Sequence, residues 1–294
     1  MTVLSFSTVS PHDFELCLRV VRSFSPDVSQ DFSTLRVAVR IQDKPAVLEL
    51  RQIRRNHPTF EISTDLPDNR SEVKRIAKRI VFADLELRPF YQIAASHSVL
   101  GPITQELSGL KPMRPASLFE MLVIAITEQQ ISLAAAYRIR TRIIEQFGDP
   151  VNGLWAFPSS RRLSESSVAQ LMTCGLSHRK SEYVKGLAYR VDNGLLDLNQ
   201  LEKMSDDDVR SLLIQERGLG PWSAEYFLIR GLGRPDRVPI DDLGIRSVVG
   251  RYLGGGRRLS PQGTVRKLSS FKPYRGLAAF YLLAYERLSK NHAG

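Results

Sequence analysis

The stretch Gln215–Arg246, QERGLGPWSAEYFLIRGLGRPDRVPIDDLGIR, determines how the rest of the chain is interpreted. Its first part, Arg217-Gly218-Leu219-Gly220-Pro221-Trp222, alternates two glycines and opens onto an apolar segment, which predicts a tight hairpin followed by a helix. Glycine lets backbone amides approach a ligand closely, and the free amides at a helix start favour an anion. The hairpin is therefore a candidate site for an anion, of which a DNA phosphate is one.

The second part of this stretch, Pro239-Ile240-Asp241-Asp242-Leu243-Gly244, places two carboxylates at the expected start of another helix. Aspartate is a common helix N-cap, so capping is the structural alternative to a chemical role for either residue. One of the two can cap the helix while the other takes part in chemistry. The sequence alone leaves this pair open.

Composition fits a globular protein with a basic surface. The chain has 294 residues, 43% of them hydrophobic and 24% charged, and is long enough for two domains with a substantial core. Lys and Arg number 41 against 31 Asp and Glu, which gives a net charge of +10. That balance suits a polyanionic partner such as nucleic acid, although an ordinary basic surface has the same composition.

Metal centres, secretion and membrane insertion are not favoured by the sequence. The two cysteines, Cys17 and Cys174, cannot supply a four-cysteine cluster, and the five histidines have no metal-ligand spacing. The N-terminus has no charged region ahead of a long apolar run, and no segment approaches the ~18 apolar residues of a membrane span. We therefore predict a cytoplasmic, or nucleoid-associated, protein without a side-chain metal site.

The pattern of the chain changes near residue 88. Before it, helix signals over 12–22 and 68–84 flank strand signals over 35–41, 46–51 and 57–63. From Leu85 onward the strand signals stop. The predicted fold class is α+β, mostly α: a small N-terminal mixed α/β domain over 1–88, followed by an all-helical body over 89–294.

The helical body begins with an unusually apolar segment, Leu118–Thr127, which predicts a buried core helix. The polar break Glu128-Gln129-Gln130-Ile131-Ser132 separates it from a second helix, Leu133–Phe147. A serine cap at Ser205, followed by three acids, predicts the helix that leads into the hairpin. Further helices are predicted over 164–174, 179–192, 244–252, 262–269 and 275–288.

The order of helix, Gly-x-Gly hairpin, helix, proline-rich loop, aspartate and helix resembles the helix-hairpin-helix (HhH-GPD) DNA glycosylases. Within that superfamily the chain is most similar to the 3-methyladenine DNA glycosylase II family. Four segments carry the resemblance: Ile126–Ala136, Gly175–Lys180, Gly218–Arg230 and Lys272–Tyr285. The resemblance implies a helix-hairpin-helix over about 209–231 and a catalytic aspartate loop over about 236–246.

A glycosylase flips a base out of the duplex and breaks its bond to the sugar, which builds positive charge on the deoxyribose. A nearby carboxylate stabilises that charge. The resemblance implies Asp242 in this catalytic role, because the family's aspartate stands directly ahead of a Leu-Gly-like pair at a helix start. Asp241 is the alternative, because it follows Pro239 by two residues as the aspartate does in other branches.

Trp222 occupies the position where glycosylases with lyase activity carry a lysine nucleophile. Since an indole cannot form a Schiff base, the resemblance implies a monofunctional enzyme that uses water. It also places Trp222, Tyr226 and Tyr274 along the base pocket, where electron-rich rings suit a cationic N-alkylated purine. Ordinary core aromatics are the alternative for all three. Relatives often have Trp at the position of Tyr274, which bears on pocket width and substrate range.

The resemblance also implies a set of DNA contacts. Gln130 corresponds to the wedge that fills the gap left by the flipped base, although a plain loop glutamine is the alternative. Glu225 lies unfavourably close to the expected phosphate unless its side chain faces away. The other implied DNA-binding residues are Gly218, Gly220, Arg217, Arg246 and Lys272. For the three basic residues, simple surface charge is the alternative.

The activity implied is excision of alkylated bases, of the 3-methyladenine and 7-methylguanine type, from double-stranded DNA by a monomer. No cofactor is required for the chemistry, but the family implies a structural monovalent or divalent cation held by hairpin carbonyls. Two alternatives remain: a glycosylase for oxidised or deaminated purines, and a non-catalytic DNA-binding protein that kept only the hairpin.

Overall fold

The computed structural model describes residues 2–24, 32–66 and 68–291. An antiparallel sheet of four strands forms the N-terminal layer. Its side chains alternate between buried and exposed, so that one face is apolar. The strands predicted over 35–41, 46–51 and 57–63 are confirmed, whereas the first strand of the chain was not predicted. The strands are β1 (Thr2–Ser7), β2 (Thr34–Ile41), β3 (Lys44–Arg54) and β4 (Thr59–Thr64), and they lie in the sheet in the order β1-β4-β3-β2.

Two helices, α1 (Phe14–Phe24) and α2 (Arg70–Ile80), cover the apolar face of this sheet. Phe60 on β4 is fully buried, stacks on Phe6 at 5.4 Å and meets Phe14 edge-on at 5.0 Å between ring centroids. This aromatic cluster is the centre of the N-terminal core. The predicted helices of this region are confirmed within a few residues at their ends.

The remainder of the described chain is mainly helical, so that the predicted fold class is confirmed. The predicted bounds of the buried helix and of its neighbour match the structure, and Ser117 and Ser132 cap them. The helices are α3 (Arg88–Ala94), α4 (Leu100–Glu106), α5 (Leu118–Thr127), α6 (Leu133–Phe147), α7 (Ser160–Ser164), α8 (Val168–Thr173), α9 (His178–Asp192), α10 (Leu198–Leu201), α11 (Asp206–Gln215), α12 (Pro221–Tyr226, continued by a π-helical segment Phe227–Leu232), α13 (Leu243–Leu253), α14 (Pro261–Leu268) and α15 (Arg275–Asn291).

The helices build two apolar cores. The first core surrounds α5 and includes residues of α6, α9, α11 and α12. The second core surrounds α15 and includes residues of α3, α4, α13 and α14, together with Cys17 and Val20 from α1. The Gly-x-Gly hairpin lies beside the first core, and the aspartate loop leads into the second. The functional stretch therefore bridges the two cores.

Two details of the helical body differ from the sequence predictions. Asp149–Val151 and Leu154–Ala156 form a short hairpin, β5 and β6, so the prediction of an all-helical body is wrong there. Its turn, Asn152-Gly153, has positive φ at both residues, which is the geometry that an Asn-Gly pair favours. In addition, the helix predicted over 164–174 begins only at Val168, as α8, because the capping box of Ser167 and Gln170 starts it there, and the short helix α7 before it was not predicted.

The N-terminal layer is joined to the helical body by buried cations. Arg79 on α2 is 8% exposed and donates to the Gly231 carbonyl at 2.7 Å. Lys111 is 1% exposed and donates to the carbonyls of Val9, at 2.9 Å, and Ala83, at 3.2 Å. The domain boundary at residue 88 stays a prediction. None of the helices in the described ranges has the length and apolar character needed to cross a membrane.

Candidate functional site

The hairpin after α11 contains two glycines, and the structure requires glycine at only one of them. Gly218 has φ +96°, and a Cβ there would lie 2.4 Å from Cγ of Tyr183, so both conformation and packing require glycine. Gly220 is extended, with φ −111° and ψ −175°, and a Cβ there would meet nothing within 4 Å. Neither backbone nor packing requires glycine at 220. The open space there is available to a ligand that approaches the first amides of α12.

Gln129 fixes the hairpin to the loop between α5 and α6. Its side-chain amide donates to the Gly218 carbonyl at 2.8 Å and to the Ser223 hydroxyl at 2.9 Å. Lys180 in turn donates to the Gln129 carbonyl at 2.6 Å and to the Thr127 carbonyl at 2.9 Å. Both residues lie within segments that resemble the family, but neither was predicted to have a role, because these contacts join distant parts of the chain.

Asp242 is the N-cap of α13 and faces the hairpin helix. Its Oδ1 accepts from the Ile245 amide at 2.9 Å, and its Oδ2 accepts from Nε1 of Trp222 at 3.1 Å. Asp241 is exposed and lines a cleft of about 260 Å³ together with Arg210. Capping and the contact to the hairpin helix are therefore not shared between the two aspartates, because Asp242 caps α13 and also accepts from Trp222.

The structure brings Trp222 and Tyr226 together as a stacked pair on α12. Their ring centroids are 4.9 Å apart with an interplanar angle of 25°. The Tyr226 hydroxyl donates to Oε2 of Glu128 at 2.8 Å. Burial, and then the charge of Glu128, raise the pKa of Tyr226, which keeps the phenol in its donating form. Tyr274 packs instead on the second core, 6.0 Å from Phe90 between ring centroids.

The aspartate loop is fastened by a charged network that the sequence did not reveal. Arg237 makes two hydrogen bonds to Glu225 of α12, at 2.9 and 2.5 Å, and Arg210 reaches the same carboxylate at 3.3 Å. Arg275 at the start of α15 makes two hydrogen bonds to Asp236, at 2.9 and 2.6 Å. Because Glu225 is turned into this network, it faces its own cations rather than the anion expected at the hairpin.

The implied DNA contacts differ in how free their side chains are. Gln130 is exposed in the break between α5 and α6 and has φ +56°, an unusual conformation for a residue other than glycine. Lys272 is exposed, whereas Arg246 donates to the Leu259 carbonyl at 2.8 Å. Arg217 is exposed and pairs with Glu182 at 3.0 Å. Their roles in binding DNA stay predictions.

The described residues contain no cluster of side chains suited to a metal ion. Within residues 2–24, 32–66 and 68–291, no group of three or more His, Cys, Asp or Glu side chains is placed to hold a metal ion. Carboxylates, aromatic rings and backbone groups make up the candidate site.

The arrangement of hairpin, helix and aspartate loop matches a known family. A family profile described as HhH-GPD superfamily base excision DNA repair protein matches residues 123–273, which contain the loop of Gln130, the hairpin and Asp242. The chain belongs to this superfamily. Its partner is accordingly DNA. Within the superfamily it belongs with the 3-methyladenine DNA glycosylases: DNA-3-methyladenine glycosylase of Bacillus subtilis is 33% identical over 218 residues, which are 72% of each chain.

Solved structures of DNA glycosylases share the fold over nearly the whole chain. The 3-methyladenine DNA glycosylase from Archaeoglobus fulgidus has a TM-score of 0.84 and 24% identity, and the match covers 97% of this chain and 98% of that one. An 8-oxoguanine glycosylase/lyase from Clostridium acetobutylicum, in complex with double-stranded DNA, has a TM-score of 0.71 and 17% identity over 99% of each chain. At these identities the similarity concerns the fold alone.

Proposed function

We propose that this HhH-GPD protein is a monofunctional DNA glycosylase that removes alkylated bases from double-stranded DNA by hydrolysis. The observation that carries the proposal is the 3.1 Å hydrogen bond from Trp222 to Asp242, which joins an aromatic wall to a carboxylate between the two cores. The names of the similar glycosylases support alkylated bases as the substrate class. Bases of the 3-methyladenine and 7-methylguanine type are the proposed substrates.

DNA binding is assigned to the hairpin and to the loop between α5 and α6. The hairpin amides near Gly220 hold a phosphate without reading sequence, since phosphate contacts fix register and not base identity. Gln130 enters the base stack and occupies the position of the flipped nucleotide. Arg217, Arg246 and Lys272 supply further positive charge along the backbone.

The chemical step is assigned to Asp242. As the bond between C1′ and the base nitrogen breaks, positive charge develops on the sugar, and a carboxylate beside it stabilises this charge. The base leaves with the bonding electrons, water then adds to C1′, and the proton that this water loses is released to solvent. Trp222 stands where a lyase needs an amine, and its indole nitrogen is already a hydrogen-bond donor to Asp242, so no covalent enzyme intermediate is formed.

Trp222, Tyr226 and Tyr274 are proposed as the walls of the base pocket. Their ring faces attract a purine that has gained a positive charge by N-alkylation. A monovalent or divalent cation held by hairpin carbonyls is a structural part of the proposal. The Gly218 carbonyl already accepts from Gln129 but retains a second lone pair, which is compatible with such an ion. We further propose that the active form is a monomer.

The test is release of free base from alkylated duplex DNA by the wild type and by Asp242→Asn. Asparagine is also a good N-cap, so the variant loses the charge but keeps α13. We expect release to fall at least about 100-fold. Asp241→Asn is the matched control and should retain activity within a few-fold. Full activity of Asp242→Asn together with loss in Asp241→Asn would reassign the catalytic carboxylate.

The same assay separates the alternatives. Release of oxidised or deaminated purines in preference to alkylated ones would favour the second enzyme class, and binding of abasic DNA without any release would indicate a non-catalytic protein. Borohydride treatment during turnover should trap no covalent adduct. A trapped adduct would contradict the absence of lyase activity.

A further inference from the structure

Glu128 is a carboxylate that the proposed reaction does not use. It follows the last residue of α5, at the start of the break that contains Gln130, where a glutamate would ordinarily be solvated. Its side chain is nevertheless only 11% exposed. It is turned inward, accepts from the Tyr226 hydroxyl at 2.8 Å and lies 3.4 Å from Nη1 of Arg140.

Glu128 and Asp242 stand at opposite ends of one aromatic pair. Asp242 accepts from the indole of Trp222, the rings of Trp222 and Tyr226 are stacked at 4.9 Å, and Tyr226 donates to Glu128. A base that lies against this pair is therefore within the field of both carboxylates. One is directed to the sugar in the proposed mechanism, which leaves the other beside the base.

The charges around Tyr226 explain why a carboxylate at 128 matters. Arg230 lies 5.8 Å from the Tyr226 ring centroid, and Arg140 stacks on Tyr137 with its guanidinium facing Glu128. Without Glu128, two guanidinium groups would face this end of the pocket, with Glu120 as the carboxylate that also interacts with Arg140. Such a field opposes a cationic base and has little effect on a neutral one.

We infer that Glu128 is a specificity-determining residue: its negative charge makes the pocket prefer positively charged bases to neutral bases of similar size. This inference rests on the proposed function, because it concerns which flipped base is excised. The hydrogen bond to Tyr226 alone does not give this preference. An amide at 128 would still accept from the phenol but would leave the two guanidinium groups uncompensated.

The experiment compares single-turnover release of 7-methylguanine, a cation in DNA, with that of 1,N6-ethenoadenine, a neutral base. In Glu128→Gln the ratio of cationic to neutral release should fall about 10-fold, as expected for a charge some ångströms from the base in a partly buried site. Tyr226→Phe keeps the charge and removes the hydrogen bond, so it should change both rates together. Arg140→Gln, the opposite charge change, should raise the ratio.

An unchanged ratio in both Glu128→Gln and Arg140→Gln would overturn the inference. If a variant does not fold, the other one still decides, because each is expected to move the ratio in its own direction. If neutral release is below detection, the ratio of affinities for the two uncleaved duplexes, measured in an Asp242→Asn background, takes its place and should change in the same direction. A wild type that releases no base from either duplex defeats the proposed function itself, whereas normal wild-type release with an unchanged ratio defeats the inference alone.

Discussion

At the scale of single residues, the site depends on side chains that have two duties. Asp242 caps α13 with one oxygen and accepts from Trp222 with the other, so that the start of a helix sets the position of the proposed catalytic carboxylate. Gln129 similarly holds both Gly218 and Ser223. Mutations at such positions are informative only when the substituted residue retains one of the two duties.

The two hairpin glycines provide a matched pair for this purpose. Gly218→Ala should destabilise the protein by about 1–3 kcal/mol, because alanine must adopt a left-handed conformation and its Cβ meets Tyr183. Gly220→Ala should leave stability within about 0.5 kcal/mol but weaken binding of abasic DNA several-fold, because its Cβ occupies the open space proposed for phosphate. Urea unfolding and DNA titration measure the two effects. Equal DNA affinity in Gly220→Ala and wild type would contradict the phosphate assignment.

The site residues predicted from the sequence lie close together in the chain, whereas those that were missed act through contacts to distant parts of it. Trp222, Asp242 and the glycines stand within one continuous stretch whose spacing carries the resemblance. Glu128 and Gln129 act through contacts to residues 98 and 89 positions away, respectively. No local pattern records such a contact, because it depends on how α5 and α12 pack around the first core.

At the scale of secondary-structure elements, hydrophobic pattern and caps were sufficient for most helices. The bounds of α5 and α6 were predicted from the apolar segment and the polar break after it, and the structure adds a serine cap to each helix. The strands β5 and β6 were missed because each has three residues, too few to show an alternation. Their Asn152-Gly153 turn was a usable signal.

The N-terminal sheet layer should respond to pH through His12. This residue is 4% exposed, accepts or donates at Nδ1 with the Thr8 hydroxyl at 3.0 Å, and lies 5.0 Å from Phe60 between ring centroids. Burial, and then the charge of Lys111, lower the pKa of His12 to about 3 from 6.5. Between these values the unfolded chain binds a proton at His12 that the folded chain does not, so stability is lost as pH falls.

The expected slope is about 1.4 kcal/mol per pH unit below pH 6.5. The free energy of unfolding of the wild type relative to His12→Gln should therefore fall by about 2 kcal/mol between pH 7 and pH 5. Urea unfolding at both pH values measures this difference, and all other titrating groups are shared by the two proteins. A difference that stays constant with pH would mean that folding does not lower the pKa of His12.

At the scale of the whole molecule, the proposed active site lies where two apolar cores meet, and ionic contacts determine their relative position. Arg237 is central to this arrangement, because its guanidinium joins the aspartate loop to Glu225 on the hairpin helix. Both side chains are largely buried, at 20% and 16% exposure. Loss of one partner leaves a poorly solvated charge on the other.

Arg237→Gln should therefore lower stability by about 2 kcal/mol and slow base release by at least tenfold, while affinity for abasic DNA changes little. The reason is that Arg237 holds the loop of Asp242 through Glu225 and is not one of the residues proposed to contact phosphate. Arg161→Gln is the control, because its pair with Glu165 is exposed. A large loss of DNA affinity with an unchanged rate of release would show that Arg237 serves binding instead.

The break between α5 and α6 has a consequence for how such a protein can vary. Three consecutive residues point in three directions. Glu128 contacts the aromatic pair, Gln129 contacts the hairpin, and Gln130 is exposed. Inserting or deleting one residue here would change the contacts of all three side chains at once, whereas a substitution changes the contacts of one. The length of this loop is thus under tighter constraint than its composition, and substrate range can diverge at residue 128 while the two glutamines keep their places.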